Sequence, residues 1–232
     1  MSQAVAAPVI AVAGMAFEAR IARGRGVEAV YAARADRLER ALTDATARGC
    51  AGIISFGTAG GLAPGLEPGT LVIADAIDGP FGIAPTDAAW SARLAAALHG
   101  TPVQARLRRG RLAAVGAPVV DAAGKASLHH TKMALAVDME SHIAAAFAAA
   151  RGVPFAVCRV IVDPAWRTLP RAALAGLRDD GSTAIMPILR ELLREPAQLR
   201  GLLQVAADAR AARTTLVQAR HAFEQADALR IG

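Results

Sequence analysis

The sequence predicts a single α/β domain built on a central sheet, from the order of its segments, its length and the placing of its carboxylates. Apolar runs that read as strands alternate with amphipathic stretches that read as helices, the pattern of an α/β sheet. A chain of 232 residues can bury a large core and fits one such domain better than two. Asp138, Glu140 and Asp163 stand at the edges of core-like segments, and the ends of strands are where such sheets hold ligands.

"PVIAVAGM" (8–15), a short apolar run closed by Gly14, predicts a buried strand, and "VEAVYAA" (27–33) a second. "ADRLERALTDATARG" (35–49) is an amphipathic helix with Gly49 as its stop. "AGIISFGTAGGLAPGLEPG" gives a strand running into a glycine-rich loop, and "TLVIADAI" (70–77) another strand. "TDAAWSARLAAALHG" (86–100) predicts a helix capped by Thr86 or Asp87 and stopped by Gly100. "PVQARLRRGRLAAVGAP" (102–118) predicts a hairpin turning at Gly110. "ALAVDM" (134–139) is a strand, "ESHIAAAFAAARG" a helix ending at Gly152, and "VPFAVCRVIVD" (153–163) a long buried strand. From residue 182 the chain is mostly helical, so residues 1–181 form the α/β core and 182–232 a helical extension of the same domain.

Composition removes several classes of function. No uncharged apolar run reaches the roughly 18–20 residues of a membrane span, and the first residues carry no basic segment ahead of their apolar stretch, so the expected location is the cytoplasm. Cys50 and Cys158 are too few for a disulfide framework or a cysteine-built zinc site and are expected to be buried thiols. The formal charge is +6, and of 26 basic residues only Lys125 and Lys132 are lysines. No basic patch is interleaved with stacking aromatics, which argues against nucleic acid as a partner. Arg190, Arg194, Arg200, Arg210, Arg213 and Arg220 lie among leucine and alanine in the tail. That tail either packs on the sheet or a dimer partner, or makes peripheral contact with an anionic membrane face.

"SFGTAGGLAPG" (55–65) is a glycine-rich loop after a strand whose N–H groups could cradle an anion, but it matches neither a Walker loop nor GxGxxG. His129 and His130 lack the spaced partners of a metal site, and no G-x-S-x-G elbow is present. Neither a metal nor a cofactor is implied.

Read in order, "GMAFEAR" (14–20), "SFGTAGGL" (55–62), "AVDMESH" (136–142) and "CRVIVDPA" (158–165) resemble the purine nucleoside phosphorylase and nucleosidase superfamily, which includes the enzymes that cleave methylthioadenosine and adenosylhomocysteine. The resemblance spans about residues 8–170 and implies a three-layer phosphorylase-type fold. The "VDMESH" form, "DPAWRTLP" and the long helical tail look most like the hopanoid-associated branch, understood to remove adenine from adenosylhopane.

Such chemistry explains the residue types. Breaking an N-glycosidic bond develops positive charge on the ribose and negative charge on the base, so it requires an acid for the purine and a group that stabilises the sugar. By resemblance Asp163 donates a proton toward the purine N7, Glu140 holds the ribose 2′ and 3′ hydroxyls, and Met139 packs on the sugar face. Glu18 matches the residue that orients attacking water, and Thr58, with Gly57 and Ala59 leaving room beside it, matches a hydroxyl that contacts water or phosphate. Val162 departs from the serine that usually precedes the aspartate in the nucleosidases, and Pro164 removes a backbone donor after it. Family members are commonly homo-oligomers. Hydrolysis and phosphorolysis both remain open here. Arg159, Arg167, Arg171, Arg106, Arg108, Arg109 and Arg111 are available to phosphate, whereas Glu18 would repel it. A non-catalytic nucleoside- or lipid-binding module on the same fold is the competing class.

Overall fold

The structure, a computed structural model, describes residues 7–176, 178–182 and 184–231. Its strands are β1 (Val9–Ala13), β2 (Val27–Tyr31), β3 (Gly52–Gly61), β4 (Leu71–Gly79), β5 (Gly82–Pro85), β6 (Leu107–Ala114), β7 (Ala136–Asp138) and β8 (Phe155–Asp163). Its helices are α1 (Ala16–Ala22), α2 (Ala35–Thr46), α3 (Ala88–Ala96), α4 (Ala122–Lys132), α5 (Ser141–Arg151), α6 (Arg171–Ala175), α7 (Ile185–Arg194) and α8 (Leu199–Gln225).

All of the strands form one mixed sheet. β3 pairs with β8, β8 with β4, β4 with β6, β6 with β7, and β7 returns to β3, so the centre of the sheet closes into a ring. β1 and β2 extend it from β3, and β5 extends it from β4. One edge of β3 carries β8 along its length. The other pairs with β1 only through Ser55 and with β7 only from Gly60. The divergence of β1 from β7 leaves residues 56–59 of β3 without a strand partner on that edge, and the candidate site forms in this gap.

Apolar side chains fill both faces of the sheet. On one, Phe56, Leu71 and Ile73 pack with Trp90 and Leu94 of α3 and with Leu216 and Phe223 of α8. On the other, Ile10, Val12 and Ile53 pack with Leu38 and Leu42 of α2 and with Ile143 and Ala144 of α5. The result is the three-layer arrangement of helices about a sheet. Asp87 is the residue that caps α3, accepting from the Trp90 N–H at 2.7 Å.

Several expectations are corrected. Residues 102–118 form no hairpin: a 3-10 turn at Gln104–Arg106 leads into β6, which runs straight through Gly110. A Cβ on Gly110 would lie 2.8 Å from Leu135 Cδ1, so the glycine serves close packing and not a turn. Residues 122–132, unassigned from the sequence, form α4. Cys158 is buried, but Cys50 is only partly so. In the tail, α8 buries its second half against the sheet, including Arg220, whose Nε donates to the Ala22 carbonyl at 2.9 Å. Ile185, Met186, Leu189 and Leu193 of α7 face outward. Among the described residues no helix is long and apolar enough to cross a membrane.

Candidate active site

Glu18 follows from the start of α1. Its Oε2 accepts from the N–H groups of Gly14 (3.1 Å) and Met15 (2.9 Å), closing the first turn of the helix. Its Oε1 reaches the unpaired stretch of β3 and accepts from the Thr58 N–H (2.7 Å) and the Thr58 hydroxyl (2.6 Å). These bonds use the roughly four acceptor positions of a carboxylate. With the Glu18 acceptors so used, the Thr58 hydroxyl oxygen is the atom beside it that can still accept.

Arg159, in the middle of β8, is fully buried and gathers the other carboxylates. Its Nε lies 2.8 Å from Asp138 Oδ2 as an ion pair, and its Nη2 lies 3.0 Å from Glu140 Oε2. Nη2 also donates to the Ser55 hydroxyl (2.6 Å) and Nη1 to the Thr58 carbonyl (3.2 Å). Asp138 is completed by Ser141, which donates its N–H at 3.1 Å and its hydroxyl at 2.5 Å, and the Ser141 and Ser55 hydroxyls lie 2.8 Å apart. Two glycines permit this crowding. A Cβ on Gly57 would fall 2.8 Å from Glu18 Cδ and 2.9 Å from Arg159 Nη1, and one on Gly14 would fall 2.5 Å from Glu140 Oε1.

Glu18, Asp138 and Glu140 thus surround a single guanidinium. Burial, with the charges of Asp138 and Glu18 added, pushes the Glu140 carboxyl up to about 7 against the opposing pull of Arg159. A carboxyl whose pKa is raised by folding binds its proton more tightly in the folded state, so its stabilising contribution is complete below about 4.5 and is lost as pH rises to about 7. Glu140→Gln has no charge to lose. Its stability relative to wild type is expected to rise across that window, by on the order of 1–3 kcal/mol, and to level off above it. Thermal unfolding at pH 5 and pH 8 checks this, and parallel pH curves for the two proteins would contradict it.

Asp163 ends β8 on the far side of the Val162 position. Its Oδ2 lies 2.5 Å from the ammonium of Lys125, a fully buried residue of α4. The same ammonium donates to the carbonyls of Pro164 (3.1 Å) and Arg167 (3.0 Å). Burial raises the Asp163 carboxyl above its ordinary range, while the charge of Lys125 and its hydrogen bond oppose that rise.

Glu18, Thr58, Ala59, Met139, Glu140 and Asp163 all line one cavity of about 280 Å³, near the lower end of small-molecule sites at roughly 300 Å³. Gly57 stands behind it, against Glu18 and Arg159. Val115, Pro118, Val119, Val162, Leu169, Leu174 and Val205 make most of its remaining wall apolar. Among the described residues Arg159 is the one arginine of the lining. Arg109 pairs with Asp75, and Arg167 with Asp208 at 2.8 Å. Among the described residues no group of three or more histidine, cysteine or acidic side chains is placed to hold a metal ion. His129 Nδ1 instead lies 2.8 Å from the Ala134 carbonyl.

Two residues escaped the sequence. Arg159 stands there only as one of several candidate phosphate contacts, and Lys125 only as one of the chain's two lysines. The signal that could have found Lys125 is its rarity, because it is one of two lysines among 26 basic residues. A compact ammonium can turn its three donors to one carboxylate and two carbonyls at once.

The sequence profile of the phosphorylase superfamily matches residues 9–186. Comparison with curated proteins returned no match. Among solved structures, the fold is similar to that of a Helicobacter pylori 5′-methylthioadenosine/S-adenosylhomocysteine nucleosidase mutant with 5′-methylthioadenosine in its active site. The TM-score is 0.65 at 15% identity over 96% of this chain and 99% of that one. The Neisseria meningitidis nucleosidase in complex with methylthio-immucillin-A gives 0.58 at 17% identity over 90% and 97% of the two chains. A futalosine hydrolase mutant of Helicobacter pylori gives 0.57 at 17% identity over 67% and 88%.

Proposed function

The chain belongs to the phosphorylase superfamily, and from that membership we propose that it is a nucleosidase that hydrolyses the N-glycosidic bond of an adenosyl compound. The structural relatives whose names include nucleosidase or hydrolase support the reaction class. In this reading Asp163 protonates the purine as the C–N bond breaks, Glu140 accepts the ribose 2′ and 3′ hydroxyls, and Met139 packs on the sugar. Water attacks the sugar carbon while it donates a hydrogen bond to the Thr58 hydroxyl, which is oriented by its own bond to Glu18.

The observation that carries water over phosphate is the commitment of Arg159. The guanidinium in the cavity wall is held by Asp138, Glu140, Ser55 and the Thr58 carbonyl, and Glu18 adds another carboxylate beside it. A phosphate would meet a net negative cluster with, among the described residues, no free cation facing it. The substrate we favour is adenosylhopane, which the resemblance of "VDMESH", "DPAWRTLP" and the tail implies. The apolar wall supports it, since Leu169 comes from the second of those segments and Val205 from the tail.

Adenine release from adenosyl substrates, assayed with and without inorganic phosphate, tests the proposal. The expected result is release at the same rate in both. Release that needs phosphate would make the enzyme a phosphorylase, and release from no substrate would favour a nucleoside- or lipid-binding module.

A further inference from the structure

Lys125 is a fully buried charged group to which the reaction above gives no task. It comes from α4, 38 residues before Asp163, and its ammonium sits wholly out of solvent against Oδ2 of that residue. A buried lysine is costly unless its charge and its N–H groups are all matched. Here they are: one carboxylate oxygen and two carbonyls take the three donors. The carbonyls belong to Pro164 and Arg167, so the same ammonium also ties the segment after β8 to the acid it follows. Val162 removes any hydroxyl from the preceding position, and Pro164 has no N–H to offer. Lys125 is therefore the side chain that orients the Asp163 carboxyl: both oxygens lie beside Gly60 of the cavity wall, Oδ2 is taken by the ammonium, and among the described residues no other side chain bonds Oδ1.

Resting on the proposed nucleosidase reaction, we infer that Lys125 is a positioning residue that confines the transferable proton of Asp163 to Oδ1 and neutralises the carboxylate left when that proton departs. The C–N bond breaks with its electron pair going to the base, the proton on Asp163 Oδ1 moves to the base nitrogen, and the carboxylate so formed is already paired with the ammonium through Oδ2. No reorganisation is needed at the moment of transfer. After hydrolysis a proton derived from the attacking water restores Asp163 to its acid form. The charges that face Asp163 besides Lys125 are Asp208 of α8, itself paired with Arg167, and the cavity group of Glu18, Asp138, Glu140 and Arg159. Among the charged side chains of the described residues, only Lys125 touches the carboxyl.

The test is the pH–rate profile of wild type, Lys125→Met and Lys125→Arg, with Asp163→Asn as the control. An opposite charge at contact distance holds a carboxyl down by about 1–3 pKa units, so in Lys125→Met the basic limb of kcat is expected to move to higher pH by about that much. The maximal kcat should fall, by part of the roughly 10²–10⁴-fold that a general acid contributes, with KM nearly unchanged. Lys125→Arg keeps the charge and should restore the position of the limb. A Lys125→Met enzyme that is slower but keeps the wild-type limb would show a structural role and overturn the inference. Should that variant not fold, nitrogen NMR of wild-type Lys125 decides, because the inference requires a charged ammonium throughout the titration of Asp163 and a neutral amine would refute it. An active wild type with an inactive Asp163→Asn but an unmoved limb sinks this inference alone. A wild type that releases no base sinks the nucleosidase proposal with it.

Discussion

Asp163→Asn should release base about 10²–10⁴-fold more slowly than wild type, the span that a general acid supplies. The asparagine keeps the shape and can still accept from Lys125, but its amide has no proton to give up. Its cost in stability is separable from its cost in rate. Where wild-type Asp163 is ionised, the substitution leaves the buried ammonium facing a neutral group instead of a carboxylate, so at those pH values the variant should also unfold more easily, and rates must be compared at a temperature where both proteins are folded. The rate loss should be largest for substrates whose leaving base most needs protonation. It should shrink for a nucleoside whose leaving group departs readily as an anion, such as a nitrophenyl riboside. A uniform loss across leaving groups would assign Asp163 to binding and place the acid elsewhere.

Arg159→Met should be the most destabilising single substitution in the cavity, by about 3–5 kcal/mol, because it strands buried carboxylates that had shared one cation. The side chain is buried and similar in length to its replacement, so the loss comes from charge and hydrogen bonds and not from volume. Its signature is in the pH dependence. With the guanidinium gone, Glu140, already raised to about 7, is driven still further toward its protonated form. The deficit should therefore be greatest above neutral pH and shrink as pH falls toward 5. Adding Asp138→Asn should return part of the stability, since the carboxylate with the closest contact to Arg159 is then absent. Denaturant unfolding of the single and double variants at pH 5 and pH 8 reads all of this, and a deficit independent of pH would mean that packing alone was lost.

The elements readable from the sequence were those in which burial is written along the chain. β1, β3, β4 and β8 are apolar runs because both of their faces are covered, and α2 shows its stripe because only one side of it is buried. Gly110 misled because a glycine between arginines looks like a turn, whereas the force acting there is the approach of Leu135 from another part of the chain. α4 was unread because its one buried side chain is a lysine, which breaks the apolar pattern that marks a helix face. In the site, the residues drawn from the resemblance share one cavity, with Gly57 just behind it. Their mutual bonding was not legible. That Glu18 spends its acceptors on Thr58 and its own helix, and that one arginine serves both Asp138 and Glu140, follow from where β1 and β7 part along β3.

The ring closed by β8 has a consequence for the order in which the molecule can be assembled. β8 lies between β3 and β4, two strands made roughly a hundred residues earlier in synthesis, and it supplies both Arg159 and Asp163. Until residues 155–163 arrive, β3 and β4 each hold an edge of unpaired N–H and C=O groups, the kind of edge that recruits strands from other chains. The pairing that removes both edges spans long sequence separations, which makes it a slow step. The nascent chain is thus most exposed to aggregation just before it acquires β8, and the insertion that ends that risk is also the one that brings the charged groups of the cavity together.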